Sequence, residues 1–374
     1  MQRVFLCLSA LLALYVSGFA CATEEAQPGA ALARGGERPV PHIALLLPLK
    51  SEVFAPAADA VRQGFLAAAE LEMQLPERLP VRVYGCFDEG QDIAALYRQA
   101  IADGARAVVG PLTRSGVGAL AAEPDIPVPT LALNVAEGQP VGHLYFFGMA
   151  VEAEARQAAQ LAMQQGLRQA IVIVTRSLLD QRLQLAFEDE WQHSGGVLLR
   201  EIVFDNDPSV FADIVELPDT AVFLAADTRN AQLIRPYLPN KLPIFATSQI
   251  FTGNGDTLAN YDLNGIRFVD MPWLLQADHP AVMIYPRPFP PLPTDHERLY
   301  ALGIDAYRLS QLLLSGNVWA ALPLDGVSGR IELEGHIFQR SAIPAILNDG
   351  QAQIRGAQFA PALPVFPDRA VGEP

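Results

Sequence analysis

The stretch "HIALLLPL" at residues 42–49 is a continuous apolar run of strand length, which suits a strand buried on both faces of a parallel sheet. Such a strand needs helices on either side of it, and the sequence supplies them. Val61, Phe65, Ala68 and Leu71 recur at helical spacing within "AADAVRQGFLAAAELE". Then come the strand "VRVYGCF", a helix over "QDIAALYRQAIADG" and the strand "ARAVVG". A short helix after "GPLTRSG" and strands at "PTLALN" and "HLYFFG" complete a first βα series.

A second series starts with the helix "EAEARQAAQLAMQQG" and the strand "AIVIVT", then a helix carrying Leu179, Leu183, Phe187 and Trp191 on one stripe. "LLREIVF", "TAVFLAA" and "LPIFAT" read as further strands, with helices near "FADIVEL" and "RNAQLIRPYL". The pattern breaks at "YPRPFPPLP", where proline denies both helix interior and central strand, so this stretch is expected to cross between lobes. A helix over "DHERLYALGIDAYRLSQLLLSG" and a hairpin in "GVSGRIELEG" follow. The predicted class is α/β with two lobes, each a mostly parallel sheet flanked by helices. The first lobe is expected over 42–147 plus about 275–325, and the second over 148–274 plus about 326–374.

Residues 1–21 have the parts of a secretory leader: Arg3, an apolar run too short to span a bilayer, and small residues at its end. Cleavage before Cys21 would make that residue a lipid-carrying terminus, whereas cleavage after Ala20-Cys21-Ala22 would release a soluble protein. Residues 22–41, rich in Ala, Gly, Pro and Glu, read as a flexible spacer. A lone Cys21 before such a spacer favours the lipid anchor. The remaining Cys86 sits in an apolar strand and is expected to be a buried small hydrophobe.

A net charge of −15, with only Lys50 and Lys241 as lysines, argues against nucleic acid as a partner. The chain lacks HExxH, CxxC, GxSxG, SxxK and GxxxxGK[ST], and its 6 histidines are scattered. No catalytic residue, metal site or cofactor is therefore assigned. Polar residues do fall in the loops at strand C-termini, where α/β sheets bind ligands. In the first lobe these loops carry Leu49, Thr113, Ser115 and Asn134, and free N–H groups after Gly110-Pro111 could hold an anion. In the second they carry Thr175, Arg176, Asp227 and Gln249, which would face the first set across a cleft and capture a small polar ligand. Asp270 and Asp305 lie in apolar company, where a carboxylate must be paired, and Trp273 is expected to fill the lobe junction.

The order of elements resembles the type I periplasmic binding proteins. "LALN" at 131–134, "ATSQ" at 246–249, "DMPWLL" at 270–275 and "ALGIDAYRL" at 301–309 resemble the LppC/LpoA family of penicillin-binding protein activators. "FQRSAIPAILNDGQ", read as Arg340 ahead of an apolar helix, is similar to that family's C-terminal pattern. The resemblance implies a non-catalytic, outer-membrane-anchored periplasmic lipoprotein that contacts a class A penicillin-binding protein and stimulates peptidoglycan synthesis. The alternative is a solute-binding protein serving a transporter or sensor. Well-known members of the family carry a helical-repeat domain ahead of this one. Here a spacer over 22–41 precedes the first strand, and a flexible chain of that length reaches roughly 25 Å.

Overall fold

Every residue of the first strand, β1 (His42–Leu47), is buried, as a central parallel strand covered on both faces requires. The structure is a computed structural model and describes residues 39–73, 78–135, 142–255 and 257–354. The leader, Cys21 and the spacer as far as residue 38 lie outside the described residues, as does 355–374.

From β1 the chain runs through α1 (Ala55–Glu72), β2 (Val81–Gly85), α2 (Glu89–Ala102), β3 (Ala105–Val109), α3 (Arg114–Ala121), β4 (Thr130–Ala132) and β5 (Leu144–Phe147). The second series comprises α4 (Val151–Gln164), β6 (Gln169–Val174), α5 (Leu178–His193), β7 (Val197–Val203), β8 (Thr220–Ala225), α6 (Thr228–Ile234), β9 (Ile244–Ala246), α7 (Thr257–Tyr261) and β10 (Ile266–Asp270). Two short helices, α8 (Pro272–Leu275) and α9 (Pro280–Met283), lead to the long α10 (Thr294–Ser315). The chain then forms β11 (Leu324–Asp325), β12 (Arg330–Glu334), β13 (Ile337–Ser341), β14 (Ile343–Asn348) and β15 (Gln351–Ile354).

Two sheets result. The first orders β2-β1-β3-β4-β5-β13-β12-β11 and the second β7-β6-β8-β9-β10-β14-β15. All pairings among β1 to β5 and among β6 to β10 are parallel; β12, β14 and β15 pair antiparallel to their neighbours. The two-lobed α/β class expected from the apolar runs is the observed one.

The late segments differ from the sequence reading in two respects. Residues 326–341, expected in the second lobe, extend the first sheet: β13 pairs parallel to β5 through Ile337↔Phe146, and Ile331 and Phe338 enter the first core. The last crossing therefore falls at Ala342, between β13 and β14. "AIPAILN" is a strand and not the expected helix. Ala345 and Leu347 are its buried residues, two apart, so the period is 2. The helix expected near "FADIVEL" is a single 3-10 turn, Pro208–Phe211.

Helix α10 packs against α1 at backbone distance. A Cβ on Gly64 would stand 1.9 Å from the Tyr300 carbonyl oxygen, and one on Gly303 would stand 2.1 Å from that of Val61. Both glycines are thus required by approach, although alanine is the better helix former. Gly303→Ala is expected to lower unfolding free energy by about 1–3 kcal/mol in urea titration, because overpacking outweighs the propensity gain.

Candidate functional site

Three crossings join the lobes, at 148–150, 271–293 and Ala342, and buried charges converge on them. Arg298 lies in the first turns of α10, in phase with the apolar face of Leu302 and Leu309, and is 2% exposed. Its guanidinium reaches Asp270, the last residue of β10, through Nη2 to Oδ2 at 2.6 Å and Nε to Oδ1 at 3.1 Å. Nη2 also donates to the carbonyls of Ser248 at 3.0 Å and Phe251 at 2.9 Å, and Nη1 donates to Asp295 at 2.6 Å. Burial opposes the charge on Arg298, but the carboxylates of Asp270, Asp295 and Glu154 outweigh it and raise its pKa above the ordinary value.

A second pair continues the network. Glu154, in the first turn of α4, accepts from Arg340 of β13 at 2.9 Å and from the Ser248 N–H at 3.0 Å. Arg340 also donates to the Ser328 carbonyl at 3.0 Å. Asp305, fully buried on α10, holds the same loop from the other side. It accepts the N–H groups of Val327 at 3.1 Å and Ser328 at 2.7 Å, the Ser328 hydroxyl at 2.6 Å and Arg308 at 3.0 Å. A side chain on Gly326 would come within 2.6 Å of that carboxylate, and one on Gly329 within 2.4 Å of the Ser341 carbonyl, which accounts for the glycines of "GVSG". Trp273 is fully buried at the junction; its indole N–H donates to Glu297 at 2.5 Å, and Arg287 lies over its ring at 3.8 Å.

Of the first-lobe candidates, Thr113, Ser115 and Asn134 gather around one turn. Thr113 caps α3 by accepting from the Gly116 N–H, its hydroxyl lies 3.2 Å from that of Ser115, and Asn134 donates to the Leu112 carbonyl. Leu49 packs against the first core beside Gly85. Of the N–H groups expected to be free for an anion, those of Leu112, Thr113 and Gly116 have partners within the chain. Glu89, at the start of α2, accepts from Leu112 at 2.9 Å and from Thr113 at 2.6 Å. A Cβ on Gly116 would stand 2.6 Å from the Glu89 Cβ, so glycine there makes room for this carboxylate. Burial raises the Glu89 pKa against the hydrogen bonds that lower it.

In the second lobe Thr175 donates to Asp180 and accepts from the Ser177 N–H, while Arg176 is exposed and pairs with Asp205 at 2.8 Å. Asp227 caps α6 through the Asn230 N–H. Asp227 and Gln249 share a recess of about 400 Å³ with Arg229, Thr252, Thr294 and Asp295, which joins them to the start of α10 and not to Thr113, Ser115 or Asn134. Cys86 is buried, its thiol pushed up to about 12 by burial first and then by nearby acidic residues, which disfavours the thiolate form. Among the described residues no three His, Cys, Asp or Glu side chains are grouped to hold a metal ion. Sequence reasoning passed over Glu89, Glu154 and Arg298. The one local signal was an arginine in phase with the apolar stripe of α10.

Two sheets of mostly parallel strands joined by three crossings define a protein of the periplasmic-binding-protein type. The family model described as "LppC putative lipoprotein" matches residues 36–219 and 216–338, and the chain belongs to that family. "Penicillin-binding protein activator LpoA" of Yersinia pseudotuberculosis is 27% identical over 380 residues, covering 77% of this chain and 56% of that protein. The LpoA of Haemophilus influenzae is 27% identical, covering 72% and 47%. The chain thus spans about half the length of these curated relatives. Among solved structures, the "LpoA (YraM) C-domain from Haemophilus influenzae, a regulator of PBP1A" aligns with a TM-score of 0.68 at 25% identity over 84% of this chain and 100% of that one. A "putative branched-chain amino acid ABC transporter" from Chromobacterium violaceum aligns with a TM-score of 0.70 at 38% identity over 82% and 100%.

Arg298→Met is expected to cost about 3–5 kcal/mol in urea unfolding by leaving Asp270 buried and unpaired, and adding Asp270→Leu should restore much of it. For Glu89 the sign follows from its raised pKa: the folded state holds this proton more tightly than the unfolded chain. Its contribution is full below the ordinary value of 4.5 and is lost as pH rises through the raised pKa. The stability difference between wild type and Glu89→Gln should therefore fall as pH increases above 4.5, measured by denaturant titration across pH.

Proposed function

We propose that this chain is a non-catalytic periplasmic regulator of peptidoglycan synthesis that acts by contacting a class A penicillin-binding protein. We further propose that Cys21 carries a lipid anchor holding it at the outer membrane. The observation that carries the reading is the closure of the lobe junction by its own side chains, in a member of a family whose named relatives are penicillin-binding protein activators. Arg298 and Asp270 are both buried and pair across the junction, so an opening that left either charge buried alone would be unfavourable. Glu89 likewise occupies the first-lobe N–H groups that a carboxylate-bearing solute would use. Both features support a body that presents a surface more than one that closes on a small molecule.

The solute-binding reading has two observations in its favour, the recess bearing Asp227, Arg229, Gln249 and Asp295, and the 38% identity to the putative branched-chain amino acid ABC transporter from Chromobacterium violaceum. Purified chain mixed with a purified class A synthase separates the two. Co-sedimentation with the synthase and faster glycan polymerisation are expected. No complex, together with a rise in melting temperature on a panel of small metabolites, would overturn the activator reading. Cys21→Ser is expected to release the protein from the membrane fraction.

A further inference from the structure

The outer edge of the second sheet is β7, which among the described residues pairs with β6 alone. Along it Val197, Leu199 and Val203 are exposed, at 57%, 43% and 48%. Leu199 is an extra residue between the partners Ala170↔Leu198 and Ile171↔Arg200, so the ladder is irregular there. Beyond it the register is unbroken from Arg200 to Val203, opposite Ile171 to Val174. This second half has no lysine, no proline and no bulge, and its two charged residues are Arg200, which is held by Asp213, and Glu201.

Beside this half lies a groove of about 380 Å³ between β7 and α5, whose lining includes Leu185, Glu188, Glu201 and Val203. Leu185 is 64% exposed in it. Glu188 and Glu201 are near enough that, with burial acting first, Glu201 adds to raising the Glu188 pKa against a hydrogen bond from Gln184. The arginines nearby are engaged elsewhere: Arg176 with Asp205, Arg182 with Glu152 and Arg200 with Asp213. Two like charges thus flank a groove whose lining mixes Val174, Leu185 and Val203 with Thr175, Gln181 and Gln184, without a described cation.

We propose that the Arg200–Val203 edge and the adjoining groove dock an extended segment of a partner protein in which apolar and basic residues alternate. The segment adds a strand to the sheet. Its apolar side chains cover Leu185 and Val203, and a lysine or arginine sits between Glu188 and Glu201. Charge selects this occupant over a second copy of the chain. Self-pairing at this edge would set glutamates against glutamates, in a molecule of net charge −15.

The test uses the full chain and two synthetic peptides, one alternating Val and Lys and the other Val and Glu. The lysine peptide is expected to bind about tenfold tighter, the order given by two partly exposed ion pairs. It should slow amide exchange at Arg200–Val203. Glu188→Lys combined with Glu201→Lys should reverse the preference toward the glutamate peptide, and Leu185→Ala alone should weaken binding of both; these side chains are not part of the core, so melting should be unchanged. Equal affinity for the two peptides, protection confined to other strands, an unreversed preference in the double variant, or dimerisation of the chain through this edge would each overturn the proposal.

Discussion

The bidentate pairing of Arg298 with Asp270 is the contact on which the arrangement of the lobes depends. It joins the first turns of α10, a helix built into the first core, to the end of β10 in the second sheet. The same guanidinium holds the carbonyls of Ser248 and Phe251, so the loop after β9 is tied to it as well. Five acceptor atoms surround one arginine, so that each of its three nitrogens has a partner despite burial. Glu154 and Arg340 extend the connection to the first and last crossings. Charge buried at a junction is costly unless complete, and here the completeness gives the junction a single geometry.

The two lobes handle their loop donors alike. In the first, a glutamate from the start of α2 reaches the N–H groups of Leu112 and Thr113 after β3; in the second, a glutamate from the start of α4 reaches the N–H of Ser248 after β9. Both carboxylates come from a helix N-terminus, where the local dipole also favours negative charge. At strand ends, where α/β sheets commonly bind ligands, the N–H groups of Leu112, Thr113 and Ser248 are here taken by the chain's own carboxylates.

The division into two parallel sheets was legible because strands buried on both faces leave continuous apolar runs, as in "HIALLLPL" and "TAVFLAA". The late segments were harder. Residues 326–335 carry a hairpin signal, but nothing local states which sheet it joins, since that is decided by the pairing of Ile337 with Phe146 far back in the chain. "AIPAILN" is too short for periodicity to separate helix from strand. Thr113 and Asp227 sit at strand ends as the pattern indicates, yet their roles as caps depend on backbone donors that composition does not reveal. Asp270 and Asp305 were visible as carboxylates needing partners. Their partners were not, because Arg298 and the 326–329 loop come from other elements.

Glu89 has a further consequence when considered as an intramolecular competitor. A carboxylate delivered by the same folded body acts at an effective concentration of about the millimolar range or above. A diffusible acid at lower concentration would rarely displace it. At the Leu112 and Thr113 N–H groups the polypeptide therefore supplies its own acceptor, always present and unable to diffuse away.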